Sequence, residues 1–308
     1  MSKKQNALIL GGNGLVGSAA KRILSNNNNL EVFASTREEA NLFDFESTKQ
    51  LINRVKPDVL INAAAKVGGI YANNTKRVEF LTENLKINLN VLESILDFPN
   101  IKVINLGSSC IYPLDAQNPI KESSFMSGVL EPTNSPYAMA KLTAIELGRS
   151  ISKQYGHKII NLMPTNLYGP NDNFSEMDSH VIPSLIHKMH KAKINKSKEF
   201  KIWGTGKPLR EFLYVDDLIL CIESLIESNI EEDLINIGSS EEITIYDLAL
   251  LIKKIIGFDG ELTFDLDKPD GNPRKLLDSS IIRNYGWAPK TSLEQGLEYT
   301  YNWYRQNL

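Results

Sequence analysis

A short apolar run, Ala7-Leu8-Ile9-Leu10, stops at Gly11-Gly12-Asn13-Gly14-Leu15-Val16-Gly17, and a helical pattern continues through Leu24. A strand that turns through glycines straight into a helix opens a βαβ unit. Gly11, Gly14 and Gly17 keep a G-x-x-G-x-x-G spacing. Glycines there permit a tight turn, close approach of a pyrophosphate to the backbone, and packing of helix on strand. The helix start then offers unpaired N–H groups to the anion. An ordinary glycine-rich turn can share the spacing. The strand before and the helix after are the context a dinucleotide loop needs.

Further strands are predicted at Leu30–Ala34, Val59–Asn62, 102–107 and Ile159–Met163. A helix is predicted over Thr75–Leu96, from the spacing of Val78, Leu81, Leu85, Leu92 and Ile95. Strand and helix alternate through 6–165, which predicts an α/β fold with a Rossmann-type doubly wound parallel sheet. Residues 1–165 are expected to form the dinucleotide-binding domain, with later segments returning to it. Residues 166–308 are expected to be mainly a smaller α+β substrate-binding portion. There, Pro164–Phe174 and Gly204–Phe212 read as loops from their turn formers. Helices are predicted over His180–Ala192 and Val215–Glu227, with short strands at Lys198–Ile202 and Leu234–Ile237, the last a candidate to rejoin the main sheet. Thr244 with Asp247, and Thr291 with Glu294, read as capping boxes.

Composition removes several classes of function. Net charge is −3, so no basic field points to nucleic acid or an anionic membrane. The apolar runs are too short for a signal segment or a bilayer span. Cys110 and Cys221 lack metal-ligand spacing and are joined in no motif by His157, His180, His187 or His190. The expectation is a cytoplasmic protein with no structural metal and no disulfide.

The chemistry concentrates between Gly107 and Lys141. Gly107-Ser108-Ser109-Cys110-Ile111-Tyr112-Pro113 follows a strand end, and Tyr137-Ala138-Met139-Ala140-Lys141 should open a helix. Residues four apart share a helix face. A phenol titrates near 10, and a neighbouring ammonium should lower that value. A Ser hydroxyl can bond the same oxygen that the Tyr protonates, so Ser108, Tyr137 and Lys141 suit proton transfer beside a carbonyl. A lone YxxxK is usually a surface pair, and the features upstream are what favour the catalytic reading. Ser35-Thr36-Arg37 closes the second strand, where an Arg accommodates the 2′-phosphate of NADP.

With the glycine loop, Ser108 and Tyr137-x-x-x-Lys141 in this order, the chain resembles the extended short-chain dehydrogenase/reductases. The resemblance is closest to the GDP-L-fucose synthase family, through Ala64–Gly69, Gly107–Pro113, Glu131-Pro132-Thr133-Asn134, Met163–Pro170, Ser179–Pro183, Arg210-Glu211-Phe212 and Lys268-Pro269-Asp270-Gly271. It covers essentially the whole chain. It implies a homodimeric enzyme that inverts C3 and C5 of GDP-4-keto-6-deoxy-D-mannose and reduces C4 with NADPH. It further implies Cys110 as base, able to offer a thiolate since a thiol titrates near 8.5 and lower beside positive charge, and His180 as acid on the opposite face. Tyr137 would stabilise the enolate oxygen and then protonate the C4 alkoxide, Lys141 would lower the Tyr137 pKa and hold the nicotinamide ribose, and Ser108 would bond the carbonyl. NADP would be held by Gly11, Gly12, Asn13, Gly14, Leu15, Val16, Gly17, Arg37, Asn41, Leu42, Ala64, Leu106, Gly107, Ser108, Lys141, Pro164, Asn166, Leu167 and His180. The GDP-sugar would be held by Lys188, Trp203, Arg210 and Asp270. Lys188 stands where many relatives carry Arg, and Asn13 where some of them do. A sibling enzyme on another GDP-4-keto-6-deoxy sugar, such as a heptose, would share these motifs. A dinucleotide-sensing module would be expected to lack one of Ser108, Tyr137 and Lys141, and all three are present.

Overall fold

The computed structural model describes residues 3–176, 178–268 and 270–308; Pro269 of the Lys268–Gly271 segment lies outside them. The chain runs β1 (Gln5–Leu10), α1 (Leu15–Leu24), β2 (Leu30–Ser35), α2 (Phe45–Val55), β3 (Val59–Asn62), α3 (Ile70–Thr75), α4 (Arg77–Ser94), β4 (Lys102–Leu106), α5 (Ser135–Tyr155) and β5 (Lys158–Pro164). It continues through β6 (Asn166–Tyr168), α6 (Val181–Ile194), β7 (Glu199–Trp203), β8 (Leu209–Tyr214), α7 (Val215–Glu227) and β9 (Leu234–Ile237). The last part is β10 (Glu242–Thr244), α8 (Ile245–Ile256), β11 (Glu261–Asp265), β12 (Arg274–Lys275), α9 (Ser280–Asn284) and α10 (Leu293–Gln306).

Six parallel strands form the main sheet in the order β2-β1-β3-β4-β5-β9. Parallel strands covered on both faces read as continuous apolar runs, which is why Ala7–Leu10 and Val59–Ile61 are fully or nearly fully buried. Helices α1 and α7 cover one face, and α2, α4 and α5 the other. The chain steps from β1 out to β2 and then to β3 on the other side of β1. This reversal opens a crevice at the strand ends, beside Gly11 and Ala63. Below the crevice, Asn62, Asn105 and Asn161 lie in register across β3, β4 and β5. Their buried amides are chained: Asn62 donates to Asn105 (3.0 Å) and to Asn88 of α4 (3.1 Å), and Asn105 donates to Asn161 (2.9 Å). These donated bonds fix the relative height of the strand ends that carry the site, while the Asn62 Oδ1 is buried without a partner.

Four sequence expectations are corrected. The helix expected from Thr75 breaks at Lys76 and is preceded by α3, whose start is tied by Asn73 donating to Gly68 O (2.7 Å). Pro164–Phe174 is not all loop, because β5 reaches Pro164 and β6 pairs with β8. Gly204–Phe212 is loop only to Pro208; Leu209–Tyr214 is the strand around which the second sheet is built. These pairings join residues far apart in sequence, which local turn composition cannot report. The last capping box is Ser292 with Gln295, one residue beyond Thr291 and Glu294. The Thr291 N–H is instead held by buried Asp217 (3.0 Å). Thr244 does cap α8, accepting from Asp247 N–H at 3.0 Å. Strand β9 does join the main sheet, beside β5.

Candidate active site

The crevice fits a dinucleotide. Gly11 sits at φ +83°, where side chains are disfavoured, and a Cβ there would lie 2.9 Å from the Ala64 backbone. A Cβ on Gly17 would lie 2.1 Å from Gly11 O, so only glycine lets α1 close on the loop. Gly14 caps α1 with no side-chain bond, leaving the first-turn N–H groups to an anion. Gly12, Asn13, Ser18, Lys21, Arg22, Ser25 and Asn171 line an open cleft of about 570 Å³ beside the loop. Arg37 is exposed and has no ion-pair partner among the described residues. Glu39 is folded back onto the Thr36 N–H (2.7 Å), so at least that carboxylate is occupied locally. Asn41 closes its own turn onto Phe43 N–H (3.1 Å), and Leu42 O accepts from Asn90 of α4 (2.9 Å). The Asn166 amide donates to Glu211 O (2.8 Å), so its side chain anchors β6 to β8.

Four expected catalytic residues, Ser108, Cys110, Tyr137 and Lys141, meet where β4 ends and α5 begins. Beyond β4, Ser109–Ile111 form a 3₁₀ turn, and the Ser108 oxygen accepts the Cys110 N–H at 3.2 Å. Pro136 lies in the first turn of α5, a position that tolerates a missing N–H, and it starts the helix just before Tyr137. Lys141 is only 2% exposed; its ammonium donates to Leu106 O at 2.6 Å and lies 5.8 Å from the Tyr137 ring centroid. Burial pushes its pKa down to about 8. Burial also raises the Tyr137 phenol; the Cys110 charge adds to this, and a hydrogen bond from the Ser108 side chain offsets part of it. The expectation that Lys141 lowers the phenol pKa is therefore not met in the chain alone. The ammonium is spent on a carbonyl beside the ring, and desolvation dominates both groups. Phe80 of α4 meets Tyr137 edge-on, with centroids 6.3 Å apart.

His180 stands at the N-cap position of α6 without making a side-chain capping bond. Its segment is fastened to the α3 loop: Gly69 N–H donates to Asp178 O (3.0 Å), and a Cβ on Gly69 would lie 2.5 Å from Ser179 O. Gly68 in turn packs on Phe80, so contacts link the His180 segment to Tyr137 through Gly68 and Phe80. The imidazole keeps surface open to solvent, yet the protein around it lowers its pKa below 6.5 through desolvation.

The expected sugar-nucleotide residues form a second group. Trp203, 46% exposed, ends β7 with the Lys188 ammonium 4.4 Å and the Lys268 ammonium 5.5 Å from its ring centroid. The Asp270 carboxylate accepts from Thr205 N–H (2.6 Å) and Thr205 Oγ1 (2.8 Å), so it fixes the turn after Trp203. Arg210 faces Gly271, and burial lowers its pKa with Asp270 partly offsetting. It forms no ion pair among the described residues, and a desolvated guanidinium of this kind suits a diphosphate. Sequence reasoning assigned no role to Lys268, to Asn134, whose amide reaches Cys110, or to Glu211. The wholly buried Glu211 carboxylate accepts the Ser240 (2.7 Å) and Leu277 (3.0 Å) N–H groups behind Arg210.

Comparison with known proteins is consistent across the chain. The model of the NAD dependent epimerase/dehydratase family matches residues 7–238. The chain is 45% identical over 306 residues to GDP-L-fucose synthase 1 of Arabidopsis thaliana, covering 99% of this chain and 95% of that one. It is 42% identical over 313 residues to GDP-L-fucose synthase of Escherichia coli (strain K12), covering 99% and 98%. Among solved structures, a GDP-L-fucose synthetase from Naegleria fowleri bound to NADP matches with a TM-score of 0.91 at 30% identity, covering 100% and 96%. A GDP-6-OMe-4-keto-L-xylo-heptose reductase from C. jejuni matches with 0.92 at 30%, covering 100% and 99%.

Proposed function

The chain belongs to the NAD dependent epimerase/dehydratase family and, within it, to the GDP-L-fucose synthases, and on that premise we propose that it converts GDP-4-keto-6-deoxy-D-mannose to GDP-L-fucose with NADPH. The observation that carries this reading is Cys110 beside the Ser108–Tyr137–Lys141 unit. Reduction alone needs only the hydroxyls and the lysine. A thiol at the same place adds a base for the acidic carbons flanking a ketone.

The roles follow from that arrangement. Arg210 takes the diphosphate, and Trp203 with Lys188 borders the nucleotide. Ser108 and Tyr137 hydrogen-bond the C4 oxygen, where charge collects once Cys110 has removed a proton from C3 or C5. His180 returns a proton to the other face; its lowered pKa makes it largely neutral at pH 7, and the arriving anions favour its protonation. Bound NADPH supplies the hydride for C4. Tyr137 then gives its proton to the C4 oxygen, becoming a phenolate whose charge the nearby Lys141 ammonium offsets until solvent returns the proton. The glycine loop, the first turn of α1, Arg37 and Lys141 hold the dinucleotide. The second group of residues, mainly from 166–308, holds the GDP-sugar.

Arg37→Ala is expected to raise KM for NADPH well above its effect on KM for NADH. A bidentate contact to the 2′-phosphate is lost only with the former. Steady-state kinetics with both cofactors checks this, and equal changes would remove Arg37 from the phosphate site.

A second reading, a sibling acting on another GDP-4-keto-6-deoxy sugar, is favoured by the heptose reductase likeness. The two are separated by offering each GDP-sugar and following NADPH consumption with NMR of the products. We also read the protein as a cytoplasmic homodimer. Val78 on α4 (69% exposed) and Met139 on the adjoining α5 (48%) support a pairing face, and no helix among the described residues is long and apolar enough to cross a membrane.

A further inference from the structure

Asn134 breaks a local rule. Asparagine is a favoured N-cap because its side chain satisfies the first N–H groups of a helix. Asn134 stands at the N-cap of α5, yet makes no capping bond. Its amide instead donates to the Cys110 sulfur at 3.7 Å, from a backbone of φ −114°, ψ 6°. The other amide atom, Oδ1, is buried and has no partner. The turn before it is heavily fastened. The Glu131 carboxylate accepts from Thr133 N–H (3.0 Å), the Thr133 hydroxyl (2.6 Å) and Asn134 N–H (3.1 Å). Arg77 of α4 clamps the same turn through Pro132 O (2.8 Å) and Ser135 Oγ (3.2 Å). Helix α5 forgoes its cap, and the surrounding bonds hold the amide on the sulfur.

We propose that Asn134 is a positioning residue for Cys110: its amide N–H holds the sulfur as an anion aimed at the sugar. The proposal rests on the reading of Cys110 as base. In that step the proton on the carbon beside the ketone passes to Sγ, and the C–H electron pair moves into the carbonyl as an enolate. A hydrogen bond to the charged form favours that form and fixes its direction.

The test is the rate of Cys110 alkylation by iodoacetamide against pH, followed by mass spectrometry in the intact protein. Cys221 is 0% exposed, so the folded chain reports Cys110. Asn134→Ala and Asn134→Ser are compared with the parent. Serine is a good N-cap but too short to reach the sulfur, so Asn134→Ser should keep or raise Tm. Both variants are expected to alkylate about tenfold more slowly at pH 7. An Asn134→Ser profile matching the parent would overturn the proposal. Solvent deuterium exchange into GDP-4-keto-6-deoxy-D-mannose separates this from the wider reading. A parent that exchanges no deuterium sinks the assignment of Cys110 as base; a parent and an Asn134→Ser variant that exchange equally fast sink the role of Asn134.

Discussion

Tyr137→Phe is expected to lower the rate of NADPH-dependent reduction by about 10²–10⁴-fold, the usual contribution of a positioned proton donor. The variant keeps the ring that Phe80 packs against and loses only the oxygen bonded by Ser108. Folding and KM for NADPH should therefore stay close to the parent values. The effect should lie in kcat, because the proton is needed only as the C4 oxygen gathers charge. Single-turnover measurement of NADPH oxidation checks this. A variant retaining a tenth or more of the parent rate would remove Tyr137 as the acid.

Cys110→Ser separates epimerisation from reduction. Serine is close to cysteine in size, and the backbone N–H that bonds Ser108 is untouched, so the 3₁₀ turn should persist. A serine hydroxyl stays protonated near neutral pH where a thiol can ionise. Cofactor binding is expected to be unchanged, while solvent deuterium entry at C3 and C5 should fall by about 10²–10⁴-fold. NMR of substrate incubated in deuterated buffer reads this directly. Exchange at the parent rate would clear Cys110 of the base role.

What the sequence disclosed follows from how each feature is built. Strands β1 and β3 were legible because buried parallel strands are continuous apolar runs, and the glycine loop because its geometry is local. Helix α7 was placed at its observed bounds for a similar reason: Val215–Glu227 is a local apolar pattern. Strands β6 and β8 were hidden because their partners lie some 45 residues apart and their flanks are rich in Gly, Pro and Asn. The shift of the last cap to Ser292 depends on Asp217, an acid from another helix.

In the site, the order Gly107–Lys141 announced the residues, and the fold brings Ser108, Cys110, Tyr137 and Lys141 together. Their electrostatics were not legible. The direction of the Tyr137 shift depends on burial, which no spacing reveals. Asn134 reads in sequence as an ordinary cap, and only its distance to the Cys110 sulfur shows otherwise. The amide ladder of Asn62, Asn105 and Asn161 is a property of strand register, visible only once the three strands are aligned.

The central claim is that one keto-sugar meets a base, an acid and a proton-donating phenol in a single crevice. It is tested most directly by incubating the protein with GDP-4-keto-6-deoxy-D-mannose and NADPH in deuterated water and solving the product by NMR. The expected product is GDP-L-fucose carrying deuterium at C3 and C5 and protium from NADPH at C4. A reduced sugar with the original configuration and no deuterium at C3 and C5, or no NADPH consumption at all, would contradict it.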